Sequence, residues 1–297
     1  MKRSAWLLVG LIFIIMGWLL FGKIFPGQII LPQNLQIAGL TIQYYGLILG
    51  VAIVAGYTLA YYRAPEFGVP RDKVDNLVLV LLLGGFIGAR LYHVYSSWDY
   101  YVANQGQIIM VWQGGLSIFG AILGGAVALL LIRKLFGLTL RYAELLDWLA
   151  PSVVLGHLIG RFGNLFNYEA YGWPTTLPWK MYVPSQFRLS PYFSEQYFHP
   201  LFLYEAIAGL LILVILLNFS RLTQKRPWLR FSGSSFWLWL GLYGLVRFCT
   251  EILRIDSPYF GSIKQNMVAS GLMLVFAGIV FFKHYRARRA NHEPLLS

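Results

Sequence analysis

The chain has 297 residues, of which 58% are hydrophobic and 12% are charged. Because soluble domains carry about 25% charged residues, this composition argues against a soluble protein and favours an integral membrane protein. The formal net charge is +12, but the basic residues lie in short clusters between apolar runs, which argues against a nucleic-acid-binding protein.

Apolar segments recur along almost the whole chain. A membrane-spanning helix needs about 20 mostly apolar residues, and we predict eight such segments, at about residues 5–22, 43–62, 75–95, 114–132, 143–162, 199–218, 234–253 and 266–282. Eight crossings place both termini on the same side of the membrane. If that side is the cytoplasm, it receives 16 of the 24 lysines and arginines, as the positive-inside rule requires. The sequence therefore predicts an all-α polytopic membrane protein.

The first apolar segment has two interpretations. Met1, Lys2 and Arg3 precede it, as basic residues precede the apolar run of a secretory signal peptide. No small-x-small cleavage site follows before Lys23. We therefore expect an uncleaved, additional N-terminal transmembrane helix.

Isolated polar residues within the apolar segments are candidates for function, because ionisable groups are costly inside a bilayer. Tyr45, Arg90, His93 and Asp147 belong to this group. Buried tyrosines and aspartates also serve as internal hydrogen-bond partners, so both interpretations stay open for these residues.

Glycines are frequent in the third and fourth segments. Gly84 and Gly88 lie in the third, and Gly120 and Gly124 lie in the fourth. Small residues at such spacing let two membrane helices approach closely. For most of these glycines we expect a packing role.

The first strong polar cluster follows the fifth segment, where the chain reads GRFGNLFNYEAYG from Gly160 to Gly172. Arg161, Asn164, Asn167 and Glu169 fall within nine positions there. Their guanidinium, amide and carboxylate groups are expected to form a polar pocket at the outer interface of the membrane.

Residues 172–198 follow as an aromatic segment interrupted by four prolines, which argues against a regular helix. We expect an aromatic arm at the membrane interface. The sixth apolar segment then begins with His199 and Pro200, and Tyr204 and Glu205 follow. This spacing is not that of a zinc motif such as HExxH, so we expect a supporting or packing role for His199.

The seventh segment carries the second strong polar cluster. Tyr243, Arg247, Glu251 and Arg254 are spaced by four, four and three residues and are expected to share one helix face. Two arginines beside one carboxylate leave surplus positive charge, and the planar arginine fork suits phosphate. An anionic lipid headgroup is the expected ligand, although an internal salt bridge also explains the pattern.

The single cysteine, Cys249, excludes an internal disulfide and any CxxC metal or redox motif. It lacks an evident base nearby in the sequence, and cysteine packs readily as a small apolar residue. We therefore do not expect it to be a nucleophile.

Four motifs together resemble the prolipoprotein diacylglyceryl transferase family. They are GRFGNLFNYEAYG, WQGGLSIFGAILGG from Trp112 to Gly125, HPLFLYE from His199 to Glu205, and YGLVRFCTEILR from Tyr243 to Arg254. The order and spacing of the motifs match as well, and the likeness covers about residues 25–285.

The resemblance implies an enzyme of the bacterial cytoplasmic membrane that uses no metal or cofactor and has its site towards the outer face. It implies transfer of diacylglyceryl from phosphatidylglycerol to the lipobox cysteine of a preprolipoprotein, with release of glycerol 1-phosphate. On this account Arg161 and Arg247 hold the phosphate, Asn164 and Glu169 orient the headgroup or neighbouring donors, and Tyr45 lines the pocket. Glu251 holds Arg247 or Arg254. The expected catalytic residues are Arg161, Arg247, Glu169 and Glu251, and Arg254, Tyr243 and His199 complete the lipid-binding residues.

The sequence departs from the family in two places. Many relatives carry a histidine, proposed as the base for the thiol, where this chain has Phe119. Either another group or water takes the proton, or the arginines favour the thiolate. The family also commonly has seven helices and begins near the stretch resembling FPGQIILPQNLQIAG, so residues 1–23 are expected to be the additional helix, 24–285 the transferase domain and 286–297 a short cytoplasmic tail.

Two rival functions remain open. The chain could be a member of the family that has lost its activity, which would explain why it has Phe119 in place of the histidine. A small membrane transporter would use the intramembrane arginines and glutamates to line an anion path, but it predicts broken or repeated helices, which the sequence does not indicate.

Overall fold

The computed structural model describes residues 10–290 except residues 12, 13 and 225. It divides into two compact units: the first comprises Met1–Gly56 and Ala150–Ser297, and the second comprises Tyr57–Leu149. Part of the predicted additional helix and residues 291–297 of the predicted tail lie outside the described residues.

Helices dominate the described chain, and they are numbered here in chain order. They are α1 (Ile14–Ile24), α2 (Tyr44–Arg63), α3 (Arg71–Ser96), α4 (Trp98–Ala103), α5 (Ile118–Leu135), α6 (Tyr142–Asn167), α7 (Leu201–Leu217), α8 (Phe219–Leu222), α9 (Ser234–Leu253) and α10 (Gln265–Ala290). Short 3₁₀ turns lie at Ala64–Phe67, Gln105–Ile109, Val111–Gln113, Ser185–Phe187 and Pro227–Leu229.

The strands are short and form three antiparallel pairs. They are β1 (Asn34–Ile37) with β2 (Leu40–Gln43), β3 (Met181–Tyr182) with β4 (Tyr197–Phe198), and β5 (Tyr259–Phe260) with β6 (Ile263–Lys264). In the first pair Asn34 lies opposite Gln43, and in the second Met181 lies opposite Phe198. Such two-stranded ribbons leave the fold all-α, as predicted.

Five described helical segments are long and apolar enough to cross a membrane by length and composition. They are Tyr44–Phe67, Arg71–Ser96, Ile118–Leu135, Ser234–Leu253 and Gln265–Ala290. The helices α1 and α7 are apolar but shorter. The predicted membrane fold is confirmed, whereas the number of eight crossings stays a prediction.

The helix ends differ from the apolar runs for local reasons. The helix α5 begins at Ile118 instead of residue 114, because Gly114 and Gly115 adopt positive φ values of 91° and 75°, which end regular helix geometry. The helix α6 continues past its apolar run to Asn167. Backbone hydrogen bonding extends a helix beyond the residues that face lipid, so hydrophobicity alone does not mark its end.

The predicted aromatic arm contains no α-helix between residues 172 and 198; it contains β3, β4 and one 3₁₀ turn. Its inner side chains join a buried core with the end of α6 and the start of α7, including Tyr171, Met181, Phe198 and Phe202. The Tyr171 hydroxyl donates to the carbonyl of Phe187 at 2.6 Å, and burial raises the pKa of Tyr171 to about 12. The arm is therefore a packed part of the first unit.

The core of the second unit surrounds Trp148, which is fully buried. Its indole N–H donates to the carbonyl of Ala60 at 2.9 Å, so the ring is buried with its polar atom satisfied. Leu77 on α3 and Ile132 on α5 belong to the same core.

Candidate phosphate-binding site

The site lies in the first unit, where a tight turn follows α6. Tyr168 and Ala170 both have φ of 53°, a left-handed conformation that is uncommon for residues other than glycine. The Ala170 carbonyl accepts from the amide of Phe202 at 3.0 Å, which joins this turn to the first turn of α7.

Gly172 joins the same turn to the end of α9. Its amide donates to the His199 carbonyl at 2.8 Å, and the next amide, of Trp173, donates to the Leu253 carbonyl at 2.9 Å. A Cβ atom at Gly172 would lie 2.8 Å from that Leu253 oxygen, so only glycine fits. The ends of α6 and α9 and the start of α7 are thereby held together.

Glu205 on α7 is the centre of the site. Its carboxylate is 3% exposed and contacts the Arg161 Nη2 at 2.6 Å and the Arg247 Nη1 at 2.7 Å. The Arg254 Nη1 lies 3.7 Å away, and the Thr250 hydroxyl donates to the same carboxylate at 3.1 Å. Residues from α6, α7 and α9, together with the residue after α9, therefore meet at one buried carboxylate.

A second carboxylate supports Arg247 from its own helix. Glu251 lies one turn after Arg247, is fully buried, and pairs with the Arg247 Nη2 at 2.8 Å. Its other oxygen accepts from the Asn266 amide at 3.1 Å. The Lys264 ammonium donates to the carbonyl oxygens of Glu251 and Arg254. Arg247 is thus held by two carboxylates and cannot turn away freely.

Arg254 does not continue the helix face of Arg247, contrary to the sequence prediction. The helix ends at Leu253, and Arg254 is extended, with φ of −77° and ψ of 137°. Its guanidinium pairs with Asp256 at 2.6 Å. Burial lowers the pKa of Arg254, but Asp256, Glu205 and Glu251 offset this effect and raise it, so the guanidinium stays charged.

The charged cluster is larger than the predicted two arginines and one carboxylate. The cluster contains four cations and three carboxylates: Arg161, Arg247, Arg254 and Lys264 with Glu205, Glu251 and Asp256. The surplus is one positive charge, the same as for the predicted two arginines and one carboxylate, because the added cations are matched by Glu205 from another helix and by Asp256. Such a cluster suits an additional oxyanion, provided that the arginines exchange part of their contact with Glu205.

A small cavity lies beside the cluster. Its volume is about 20 Å³, roughly the room for one water molecule. Its lining combines polar residues, His157, Tyr243, Glu205 and Arg247, with apolar residues such as Ile212. A larger ligand requires the helices to open, and it would meet both polar and apolar side chains.

Other predicted site residues lie apart from Glu205. Asn164 and Asn167 both lie 3.4 Å from the Glu169 carboxylate, at the limit of a hydrogen bond. Tyr45 on α2 packs against Gly163, where a Cβ atom would lie 2.6 Å from the ring. Arg161 instead contacts His157 at 3.1 Å and Glu205, so the motif divides into two contact groups.

His199 contacts the Tyr204 hydroxyl at 3.1 Å, and the Trp179 indole donates to that hydroxyl at 2.7 Å. This chain of contacts runs from the start of α7 to the aromatic arm. Tyr243 lines the cavity, and its ring meets the His157 ring edge to face, with centroids 5.3 Å apart.

Glu205 and His157 were not predicted as site residues from the sequence. Both are ionisable residues within apolar segments, and this feature could have identified them as candidates for function. Asp256, Lys264 and Asn266 were missed as well, because they lie in a polar loop and at a helix start, where polar residues are ordinary.

Of the minor candidates, Arg90 has a structural role in the second unit. Its guanidinium donates to the carbonyls of Gln107, Ile108, Gly114 and Gly115. These contacts order the turn before α5. Within the described residues, no three histidine, cysteine, aspartate or glutamate side chains are grouped to hold a metal.

The sequence profile of the family described as prolipoprotein diacylglyceryl transferase matches residues 32–283. A Nostoc sp. protein named phosphatidylglycerol–prolipoprotein diacylglyceryl transferase is 39% identical over 253 residues, covering 84% of this chain and 88% of the relative. A Thermotoga maritima protein of the same name is 32% identical over 297 residues, covering 99% and 98%. The chain belongs to the prolipoprotein diacylglyceryl transferase family.

Proposed function

We propose that this protein transfers the diacylglyceryl group of phosphatidylglycerol to the cysteine thiol of a preprolipoprotein lipobox. The products are a thioether and glycerol 1-phosphate, and the reaction is the first step of lipoprotein maturation. The observation that carries the proposal is the meeting of Arg161, Arg247 and Arg254 at one buried carboxylate beside a partly apolar cavity. The names of the relatives support the same reaction.

The arginines suit the leaving group of this reaction. When the thiolate attacks the glyceryl carbon, the carbon–oxygen bond breaks and negative charge grows on the departing phosphate. Guanidinium groups that are already positioned stabilise such charge without reorganisation. In this proposal Arg161 and Arg247 bind the phosphate through their planar forks, and Glu251 keeps Arg247 oriented.

The remaining residues act around the donor lipid. Arg254 adds positive charge, Tyr243 lines the cavity, and Asn164 and Glu169 orient the glycerol headgroup. Tyr45 and His199 border the binding region. The nucleophile comes from the acceptor peptide, and the chemistry requires neither a metal nor another cofactor.

The location follows from the substrates. We place the protein in the bacterial cytoplasmic membrane with the site towards the outer face and both termini in the cytoplasm. Residues 24–285 form the transferase domain, with the additional helix before it and the short tail after it. Phosphatidylglycerol and the lipobox segment both reside at this membrane, and nucleic acid has no part.

The test is lipidation of a lipobox peptide by the purified full-length protein with phosphatidylglycerol. Glycerol phosphate release is compared between wild type, Arg161→Lys and Arg247→Lys. Lysine keeps the charge but loses the bidentate fork, so we expect kcat/KM to fall about 10²- to 10³-fold in each variant, as for removal of an oxyanion donor.

Arg141→Lys is the matched control, because the Arg141 side chain is 69% exposed and, among the described residues, its ion pair is with Glu144 in the first turn of α6. It should stay within about twofold of wild type, as expected for an exposed pair. Wild-type rates in both cluster variants would contradict the phosphate clamp. No turnover by wild type would contradict the transferase.

A further inference from the structure

His157 is a polar side chain of the cavity that the phosphate clamp does not use. It lies on α6 one turn before Arg161, and it lines the cavity together with Glu205, Tyr243 and Arg247. The charged and titratable groups around it are Arg161 on its own helix, Glu205 on α7, and Tyr243 and Arg247 on α9. It therefore lies beside Arg161 and Arg247, the two arginines that bind the phosphate in the proposed function.

The hydrogen bond between His157 and Arg161 determines the protonation of the ring. The Arg161 Nε lies 3.1 Å from the His157 Nε2. A guanidinium nitrogen can only donate, so Nε2 must accept and the ring proton of neutral histidine lies on Nδ1. His157 is thus a neutral imidazole whose basic nitrogen is occupied by an N–H of the clamp.

The transfer reaction needs a proton acceptor, because the thiolate and not the thiol is the nucleophile. Arg161 and Arg247 cannot accept a proton, and Tyr243 is a weak acid. The Glu205 carboxylate is already bound by both arginines. The neutral His157 imidazole differs from the carboxylate because a single N–H of Arg161 occupies its basic nitrogen, so rotation of one arginine frees a proton acceptor.

We propose that His157 is the general base for the acceptor cysteine, an inference that rests on the proposed transferase function. The thiol gives its proton to the His157 Nε2, the sulfur forms a bond to the glyceryl carbon, and the carbon–oxygen bond breaks. The electron pair goes to the phosphate oxygen of glycerol 1-phosphate. The imidazolium then gives the proton to that phosphate, which restores the neutral ring and balances the reaction.

The same geometry links base activity to donor binding. While the Arg161 Nε–H donates to Nε2, the histidine cannot accept a proton there. A bound phosphate gives the Arg161 guanidinium a new anionic partner, and rotation towards it uncovers Nε2. The thiolate therefore forms only when the lipid is in place.

The experiment compares two acceptor peptides that differ in one atom, a lipobox peptide with cysteine and the same peptide with selenocysteine. A selenol is a stronger acid than a thiol and needs no base at neutral pH. His157→Gln is the variant, because its amide oxygen can still accept from Arg161. His284→Gln is the control, since His284 is an exposed residue of α10 that stacks on Phe231.

With the cysteine peptide, we expect glycerol phosphate release by His157→Gln to fall about 10²- to 10³-fold, the contribution of a general base. With the selenocysteine peptide, it should stay within about threefold of wild type. Phosphatidylglycerol should raise the midpoint of thermal unfolding of His157→Gln by an amount within twofold of its effect on wild type. His284→Gln should match wild type in every one of these measurements.

Equal losses with both peptides would overturn the proposal, because they would show that His157 only positions Arg161. Wild-type rates with the cysteine peptide would overturn it as well. An inactive wild type with both peptides would instead overturn the transferase function, and the base with it.

Discussion

Glu205 has the most demanding environment of the site residues. Its carboxylate is almost completely buried and receives Arg161, Arg247 and a more distant Arg254. Removing a charge from water costs several kcal/mol, so a buried ion pair is stable only when each charge is matched. Arg247 and Arg254 have other carboxylates in Glu251 and Asp256, but Arg161 pairs with Glu205 alone among the described residues. Arg161 therefore depends on the Glu205 side chain for its counter-ion.

We predict that Glu205→Gln destabilises the protein strongly, because it leaves buried guanidinium groups without their central counter-ion. The free energy of unfolding should fall by about 3 kcal/mol, which lowers the midpoint of thermal unfolding by roughly 6–12 °C for a chain of this size. The measurement is thermal unfolding of the purified protein in detergent.

Glu66→Gln is the control for this substitution. Glu66 also pairs with an arginine, Arg63, but its side chain is 62% exposed, so its loss should cost less than about 1 kcal/mol. Equal midpoints for the two glutamine variants would contradict the view that burial makes the Glu205 pairs important. Inorganic phosphate should raise the midpoint of Glu205→Gln more than that of wild type.

At the scale of elements, glycines decide how α3 and α5 pack in the second unit. A Cβ atom at Gly88 would lie 2.7 Å from the Gly124 Cα, and one at Gly124 would lie 2.8 Å from the Gly88 Cα. Without side chains, the two backbones approach closely, as in small-residue contacts between membrane helices. The packing role expected from the sequence thus has a geometric basis for these two glycines.

We predict that Gly88→Ala lowers stability by about 1–3 kcal/mol, because backbone atoms cannot move aside as a side chain would. Gly125→Ala should be neutral or slightly stabilising, because no atom lies within 4 Å of its added Cβ and alanine favours helix. Thermal unfolding of both variants in detergent provides the measurement. A Gly88→Ala variant as stable as Gly125→Ala would show that the helices do not pack at this distance.

At the scale of the whole molecule, the described helices present extensive apolar surface, as expected for a protein surrounded by lipid. In each of the five long apolar helices, only between 11% and 22% of the most apolar 18-residue stretch is buried inside the protein. Residues such as Leu83, Leu131 and Phe276 are about half exposed. The helix α7 has 17 residues, which span about 25 Å, somewhat less than the hydrocarbon core of about 30 Å. Whether α7 crosses is therefore central to the predicted topology.

We predict that residues on the two sides of α7 face opposite compartments. In a Cys249→Ser background, a cysteine at Glu195 should react with a membrane-impermeant maleimide in intact cells, because the arm is expected outside. A cysteine at Gln224 should react only after permeabilisation. Both positions are exposed in the structure, so accessibility within the protein does not limit labelling. Equal labelling at both positions in intact cells would contradict the crossing.

Much of the fold was predictable from local sequence. The segment 234–253 coincides with α9, and α2, α7 and the start of α6 lie within one or two residues of their predicted bounds. The errors occur where helices continue into polar sequence, as α10 does to Ala290, or where Gly114 and Gly115 delay the start of α5. Backbone conformation, rather than hydrophobicity, determines these ends.

The site was less predictable than the fold. The i, i+4 spacing placed Arg247 and Glu251 on one helix face, where they are 2.8 Å apart. The spacing did not indicate that Glu205, which is 42 positions from Arg247, accepts from it. It also did not indicate that Asn164 and Glu169 form a group apart from Arg161.

The sequence by itself determined that the chain is a helical membrane protein, because every bilayer crossing requires a continuous apolar run that is visible locally. Its motifs also determined the family. Only the tertiary structure decided which buried charges meet, that Glu205 is their centre, and that the basic nitrogen of His157 is covered by Arg161. Contacts between helices leave no periodic signal along the chain, since they depend on how distant segments pack and on the rotation of each helix.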